Sequence, residues 1–164
     1  MVPLKYEPIG IIHTPFREKK TTPIQGVFAP DSTGKVEVFP QYVNGLKDIA
    51  GFSHLILIYH FHLAEGYSLK TRPFLDNKSR GIFSIRHFNR PNPIGISVVR
   101  LDDVKGNILT VGEVDVIDGT PLLDIKPYMP DFDARQNVRK GWYEHASNMR
   151  EYEQGKGVQP HLEC

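Results

Sequence analysis

A chain of 164 residues with 40% hydrophobic side chains is long enough for one domain with a core and too apolar to be disordered. Its formal net charge of +1 excludes a global field that would pull it onto nucleic acid, and its single cysteine, Cys164, excludes an internal disulfide. The opening MVPLKYEPIG has no charged stretch leading into an apolar run, and no apolar stretch reaches bilayer length. A reducing cytoplasmic location with no membrane contact is therefore expected.

Residues 6–14 are apolar, contain β-branched isoleucines and stop at Pro15, which predicts a strand. Residues 17–25 are polar and basic, and Pro23 marks them as a loop. Residues 35–39 alternate and end at Pro40, a second short strand. Residues 42–49 carry Val43, Leu46 and Ile49 at helical spacing before Gly51, which predicts a helix of two turns. Residues 52–63 are the most strand-like run. Leu55, Leu57, Tyr59, Phe61 and Leu63 fall on one face, and His54, Ile56, Ile58, His60 and His62 on the other. Residues 66–80 read as a long polar loop, of the kind that carries function in compact domains.

Residues 81–101, GIFSIRHFNRPNPIGISVVRL, form two strand-like runs around a rigid hinge. Pro91 and Pro93 fix their own φ and push Arg90 and Asn92 out of the helical region, so the hinge is neither helix nor central strand. The plain reading is a proline-rich turn with incidental arginines. Between residues 70 and 90, Lys70, Arg72, Lys78, Arg80, Arg86 and Arg90 face Asp76 alone, which is six minus one, or +5. This segment is either a phosphate-binding footprint or a solvated loop. Residues 95–102 and 108–117 read as strands joined by a turn over 102–107. A turn at 118–121, a short apolar run at 122–125, breaks at Pro127 and Pro130, and a terminal helix over 139–153 follow. The expected organisation is one domain over 1–155 and a frayed tail over 156–164.

Six or seven short strands with little helix argue for a mainly β fold, a small antiparallel barrel with a few short helices. No G-x-G-x-x-G follows a strand, so a Rossmann fold is not expected. His60-x-His62 with Glu65 resembles the metal-ligand spacing of cupin barrels, against which stands the plainer reading of histidines at a core edge. Asp118 reads as a turn former accepting a nearby backbone N–H. Asp124 and Lys126 share a face if that run is extended, and pair locally.

Arg86-x-x-x-Arg90-Pro91-Asn92-Pro93-Ile94-Gly95-x-Ser97 resembles the signature of the TrmO (TsaA-like) family. Three further stretches are similar to it: IGIIHTPF from Ile9, GFSHL from Gly51, and DGTPLLDIKPY from Asp118. The resemblance implies a small β-barrel that uses S-adenosyl-L-methionine to methylate N6 of threonylcarbamoyladenosine at tRNA position 37. It implies cofactor contacts from Pro23, Ile24, Gln25, His54, Leu55, Arg86, Asp118, Gly119, Thr120 and Pro121. It places Asp124 and Tyr128 beside the reacting groups, either of which could take the N6 proton. RNA contacts are expected from Arg80, Arg90, Asn92 and Lys126, with tRNA as partner and a homodimer whose active site lies near the interface. The other classes open to the sequence are a non-catalytic S-adenosylmethionine- or RNA-binding module and a cupin-like metalloenzyme.

Overall fold

A computed structural model describes residues 2–146. Its strands are β1 (Gly10–His13), β2 (Thr33–Val38), β3 (His54–His60), β4 (Lys70–Thr71), β5 (Arg80–Gly81), β6 (Ile94–Lys105), β7 (Ile108–Gly112) and β8 (Thr120–Pro127). Six of them close into an antiparallel barrel in the order β1-β2-β7-β6-β3-β8, with β8 pairing back onto β1. β4 and β5 form a separate two-stranded ribbon. The α-helix among the described residues is a single turn, Pro130–Asp133. The expected mainly β barrel is what the chain forms.

Alternation explains the barrel. Leu55, Leu57 and Tyr59 of β3, Val99 of β6, Leu109 and Val111 of β7, Val36 and Val38 of β2, Ile12 of β1 and Leu122 of β8 point inward and are at most 4% exposed. At about 25 cal/mol per Å², burying each such side chain contributes roughly 1.5–3 kcal/mol. Closure leaves no open edge in the six-stranded sheet, the usual weak point of small β domains.

Several expected elements are redrawn. The helix over 42–49 is instead a 3₁₀ segment, Pro40–Leu46, followed by a 3₁₀ turn, Ile49–Gly51. Asp48 between them has φ 66°, which no α-helix contains. Leu46 and Ile49 still pack on the core, so the apolar spacing was informative while the helix type was not. The lead-in at 82–85 is a 3₁₀ turn rather than a strand, because the buried Ile82 and Ile85 lie three residues apart. The loop over 66–80 contains β4 and leads into β5, with Lys70 opposite Gly81 and Thr71 opposite Arg80. Pro73, Phe74 and Leu75 within it are each half-buried.

β6 runs on through Asp102 and Asp103, helped by a bulge between Leu101 and Asp103, and only Gly106 and Asn107 make the turn. β7 stops at Gly112, since Glu113 has φ 59°, so residues 113–117 leave the ladder. Thr120 and Pro121 belong to β8, not to the preceding turn, whose left-handed residue is Gly119. In place of a terminal helix over 139–153 the described part has a 3₁₀ turn, Gly141–His145; residues 147–153 and the tail over 156–164 lie outside the described residues.

Candidate functional site

The hinge ends where β6 begins, and there the barrel has a polar interior. Gly95 lies opposite Tyr59 in the β3–β6 register. A Cβ on Gly95 would stand 2.2 Å from Tyr59 Cε2 and 2.8 Å from Phe61 Cζ, so only glycine lets the Tyr59 ring lie across β6. The Tyr59 hydroxyl then lies 2.9 Å from Ser97 Oγ, two residues further along the inner face. Ser97 in turn donates to Asp115 Oδ1. The second oxygen, Oδ2, accepts the Gly26 N–H at 3.0 Å. With Ser97 donating to the carboxylate, Tyr59 donates to Ser97, and the chain of bonds runs in one direction.

Asp115 reaches this place because the segment 113–119 crosses the barrel end under side-chain control. Ser32 Oγ donates to Val114 O, Thr14 Oγ1 donates to Val116 O, and Asp118 Oδ1 accepts the Thr14 N–H. Asp118 is thus an anchor to β1's end rather than a local turn former. Gly26 fits so closely against this segment that a Cβ would lie 1.7 Å from Glu113 O. Burial pushes the Asp115 carboxyl up to about 6, against the lowering effect of its hydrogen bonds to Ser97 and Gly26 and the nearby Arg86 charge. Tyr59 is raised by burial and by the Asp115 charge, which keeps its phenol protonated.

Arg86 is exposed, and its guanidinium donates to Gln25 Oε1 at 3.2 Å. Asp115 and Tyr59 face a cavity of about 60 Å³, lined also by Thr22, Phe61, His62, Phe88 and Thr120. It has room for a methyl-sulfonium group, not for a nucleoside. Gln25, Ile24 and Arg86 line a separate, larger cleft of about 590 Å³. A sulfonium cation favours a carboxylate and aromatic faces, and the small cavity offers Asp115, Tyr59, Phe61 and Phe88. The donor set therefore fits S-adenosylmethionine chemistry.

The residues expected to hold cofactor do not all gather here. Pro23, Ile24, Gln25, Arg86, Asp118, Gly119, Thr120 and Pro121 are on segments that reach this end through the Arg86–Gln25, Gly26–Asp115 and Thr14–Asp118 bonds. Leu55 is 0% exposed inside the core, and His54 starts β3 at the end paired with Arg100. Tyr128 lies with His54: its N–H donates to His54 O, and the two rings meet edge-on at 6.3 Å. β8 spans eight residues from Thr120, so about 25 Å separates that end from Tyr128. A bulge between Ile58 and Tyr59 pairs Asp124 with Ile58 and Lys126 with Ile56, placing both on the outer wall, where Lys126 Nζ lies 2.7 Å from Asp124 Oδ2.

Of the expected RNA contacts, Arg80 is paired with Asp76, Arg90 donates to Ile85 O at 3.3 Å, and Asn92 is exposed. Strand β3 ends at His60, and His62 Nδ1 lies 3.3 Å from Thr120 Oγ1; among the described residues no three His, Cys, Asp or Glu side chains form a metal-holding group. The sequence reading missed Tyr59, Ser97 and Asp115 as a unit. A lone aspartate inside the apolar run Val114–Ile117 was the available signal for it.

A profile of the tRNA-methyltransferase O N-terminal domain matches residues 11–134. A probable S-adenosyl-L-methionine-binding protein of Pyrococcus abyssi is 60% identical over 139 residues, covering 85% of this chain and 76% of that protein. The tRNA (adenine(37)-N6)-methyltransferase of Escherichia coli is 35% identical over 140 residues, covering 79% of this chain but 60% of the enzyme. The crystal structure of TrmO from Pseudomonas aeruginosa superposes with a TM-score of 0.76 at 32% identity, covering 98% of this chain and 84% of that one.

The raised Asp115 carboxyl has a measurable consequence. Between pH 4 and 6 folded Asp115 keeps a proton that the unfolded chain has released, so this group's contribution to stability falls as pH rises through that window. Asp115→Asn lacks that loss, and its stability relative to the parent should improve by about 2 kcal/mol from pH 4 to 7. Urea unfolding of both proteins at the two pH values checks this; parallel behaviour would show that Asp115 titrates normally.

Proposed function

The chain belongs to the tRNA-methyltransferase O N-terminal-domain family, and from that membership we propose that it transfers a methyl group from S-adenosyl-L-methionine to N6 of threonylcarbamoyladenosine at tRNA position 37. The observation that carries this reading is the link between the family-like signature and the polar barrel end: Gly95 and Ser97 of the signature build the seat of Asp115, and Arg86 flanks it. A cytoplasmic setting, where tRNA is found, accords with the lone cysteine.

The cofactor supplies an electrophilic methyl on a positively charged sulfur. Asp115 would stand as counter-charge to that sulfur, while Arg86, oriented by Gln25, would hold the cofactor's carboxylate. Methyl transfer by in-line displacement chiefly needs alignment and exclusion of water, which a rigid barrel end provides. The N6 proton must leave, and Asp124 or Tyr128 would accept it. Exposed Lys70, Arg72 and Lys78 face incoming phosphates.

Tyr128 lies a strand length from the Thr120 end within one copy, and Asp124 sits on the outer wall, which accords with a homodimer that completes its sites across the interface. An apolar stripe supports it. Ile94, Ile96 and Val98 are 43%, 52% and 41% exposed on the outer face of β6, beside the half-buried Ile56 and Ile58 of β3. A two-fold axis through such a stripe would cover it and bring each copy's β8 wall toward its partner.

Purified protein with S-adenosylmethionine should add one methyl to tRNA bearing threonylcarbamoyladenosine, read by nucleoside mass spectrometry, and none to the same tRNA lacking that group. Equal methylation of both would move the substrate to plain adenosine, and cofactor binding with no transfer would make the protein a binding module. For the assembly, sedimentation should give a dimer at micromolar concentration that Ile96→Asp converts to monomer with loss of methylation. A fully active monomer would refute the shared site.

A further inference from the structure

Trp142 is the chain's one tryptophan, and it lines two adjoining depressions. The first is the 590 Å³ cleft, whose walls include Phe28, Phe83, Arg86, His87 and Lys140. The second is lined by Lys78, Arg80 and His145 together with Asp76, whose charge Arg80 neutralises. The indole is held in place: its N–H donates to Ser84 O at 2.8 Å, and the Arg80 guanidinium lies 5.7 Å from the ring centroid. An aromatic slot beside cations is the recognition chemistry of a nucleotide, with a face for the base and charge for the phosphate.

We propose that this cleft takes an unpaired base of the RNA substrate, stacked on Trp142, with its phosphate beside Lys78. The assignment rests on the RNA-methylation reading above and names a second contact next to the reacting base. Arg86 and Gln25 belong to both the cleft and the cofactor end, so the stacked base would be a near neighbour of the target. The adenine of S-adenosylmethionine is the competing flat ligand, but that cofactor carries no phosphate for Lys78 and Lys140 to meet.

The single tryptophan makes the test direct. Its emission is followed in the full-length protein during separate titrations with a single-stranded purine-rich RNA, with S-adenosylmethionine and with inorganic phosphate. The RNA should quench the emission in a salt-sensitive way, and the other two should not. Trp142→Ala should weaken RNA binding roughly ten- to hundredfold, the range of one lost stacking contact, while leaving cofactor affinity unchanged. Trp142→Tyr should restore most of it, and Lys78→Ala should flatten the salt dependence, so the test survives a poorly folded alanine variant. RNA that is bound and methylated without any change at Trp142 overturns the assignment and leaves the methylation reading intact. Quenching by S-adenosylmethionine alone gives the cleft to the cofactor and overturns it too. So does a Trp142 already shielded from acrylamide before any addition, which would show the cleft filled without RNA. If RNA is neither bound nor methylated, the methylation reading itself falls.

Discussion

Ser97 sits on the inner wall of a barrel built from valines, leucines and isoleucines, 6% exposed, and its hydroxyl is satisfied only because Tyr59 and Asp115 come to it from two other segments. Each link constrains the next. Gly95 must be glycine for Tyr59 to cross β6, Glu113 must take a left-handed backbone to end β7, and Gly26 must lack a Cβ to approach within hydrogen-bond distance of the carboxylate. Losing one partner of a buried hydrogen bond costs about 1–3 kcal/mol because the other is left unpaired. The network is therefore cooperative, and it fixes where the loop before Gly26, the hinge after Arg86 and the segment before Thr120 meet.

That convergence gives the domain two ends of different character. At the Asp115 end the backbone leaves the ladders and polar groups turn inward. At the His54–Tyr128 end β3 and β8 remain regular, and one bulge in β8 sets Asp124 and Lys126 on the outer wall. The exposed Ile94, Ile96 and Val98 lie on the same outer surface. The proposed homodimer, with a second copy packed on that wall, would bring the two ends together across the interface.

The barrel was legible because alternation in residues 54–60 sets Leu55, Leu57 and Tyr59 on one face, and because prolines and glycines mark the turns. Its local irregularities were not. The 3₁₀ segment at Pro40–Leu46 shares the i, i+3 spacing of an α-helix, and a left-handed Asp48 or Glu113 leaves no mark in composition. The site was half legible. Arg86 and Gln25, named from resemblance, do touch, while the Leu55 side chain lies in the core, on the face that alternation assigns it with Leu57 and Tyr59. Asp115 went unnoticed because its partners Ser97, Gly26 and Tyr59 are 18, 89 and 56 residues away in sequence, and only closure of the barrel brings them together.

In the proposed reaction Asp115 supplies the negative charge opposite a bound sulfonium. Calorimetric titration of the parent and of Asp115→Asn with S-adenosylmethionine and with its neutral thioether product, S-adenosylhomocysteine, measures that charge contact. The variant should lose about tenfold in affinity for the charged cofactor, the equivalent of one modest charge contact, and little for the neutral product. Equal loss for both ligands, or none for either, would remove Asp115 from that role.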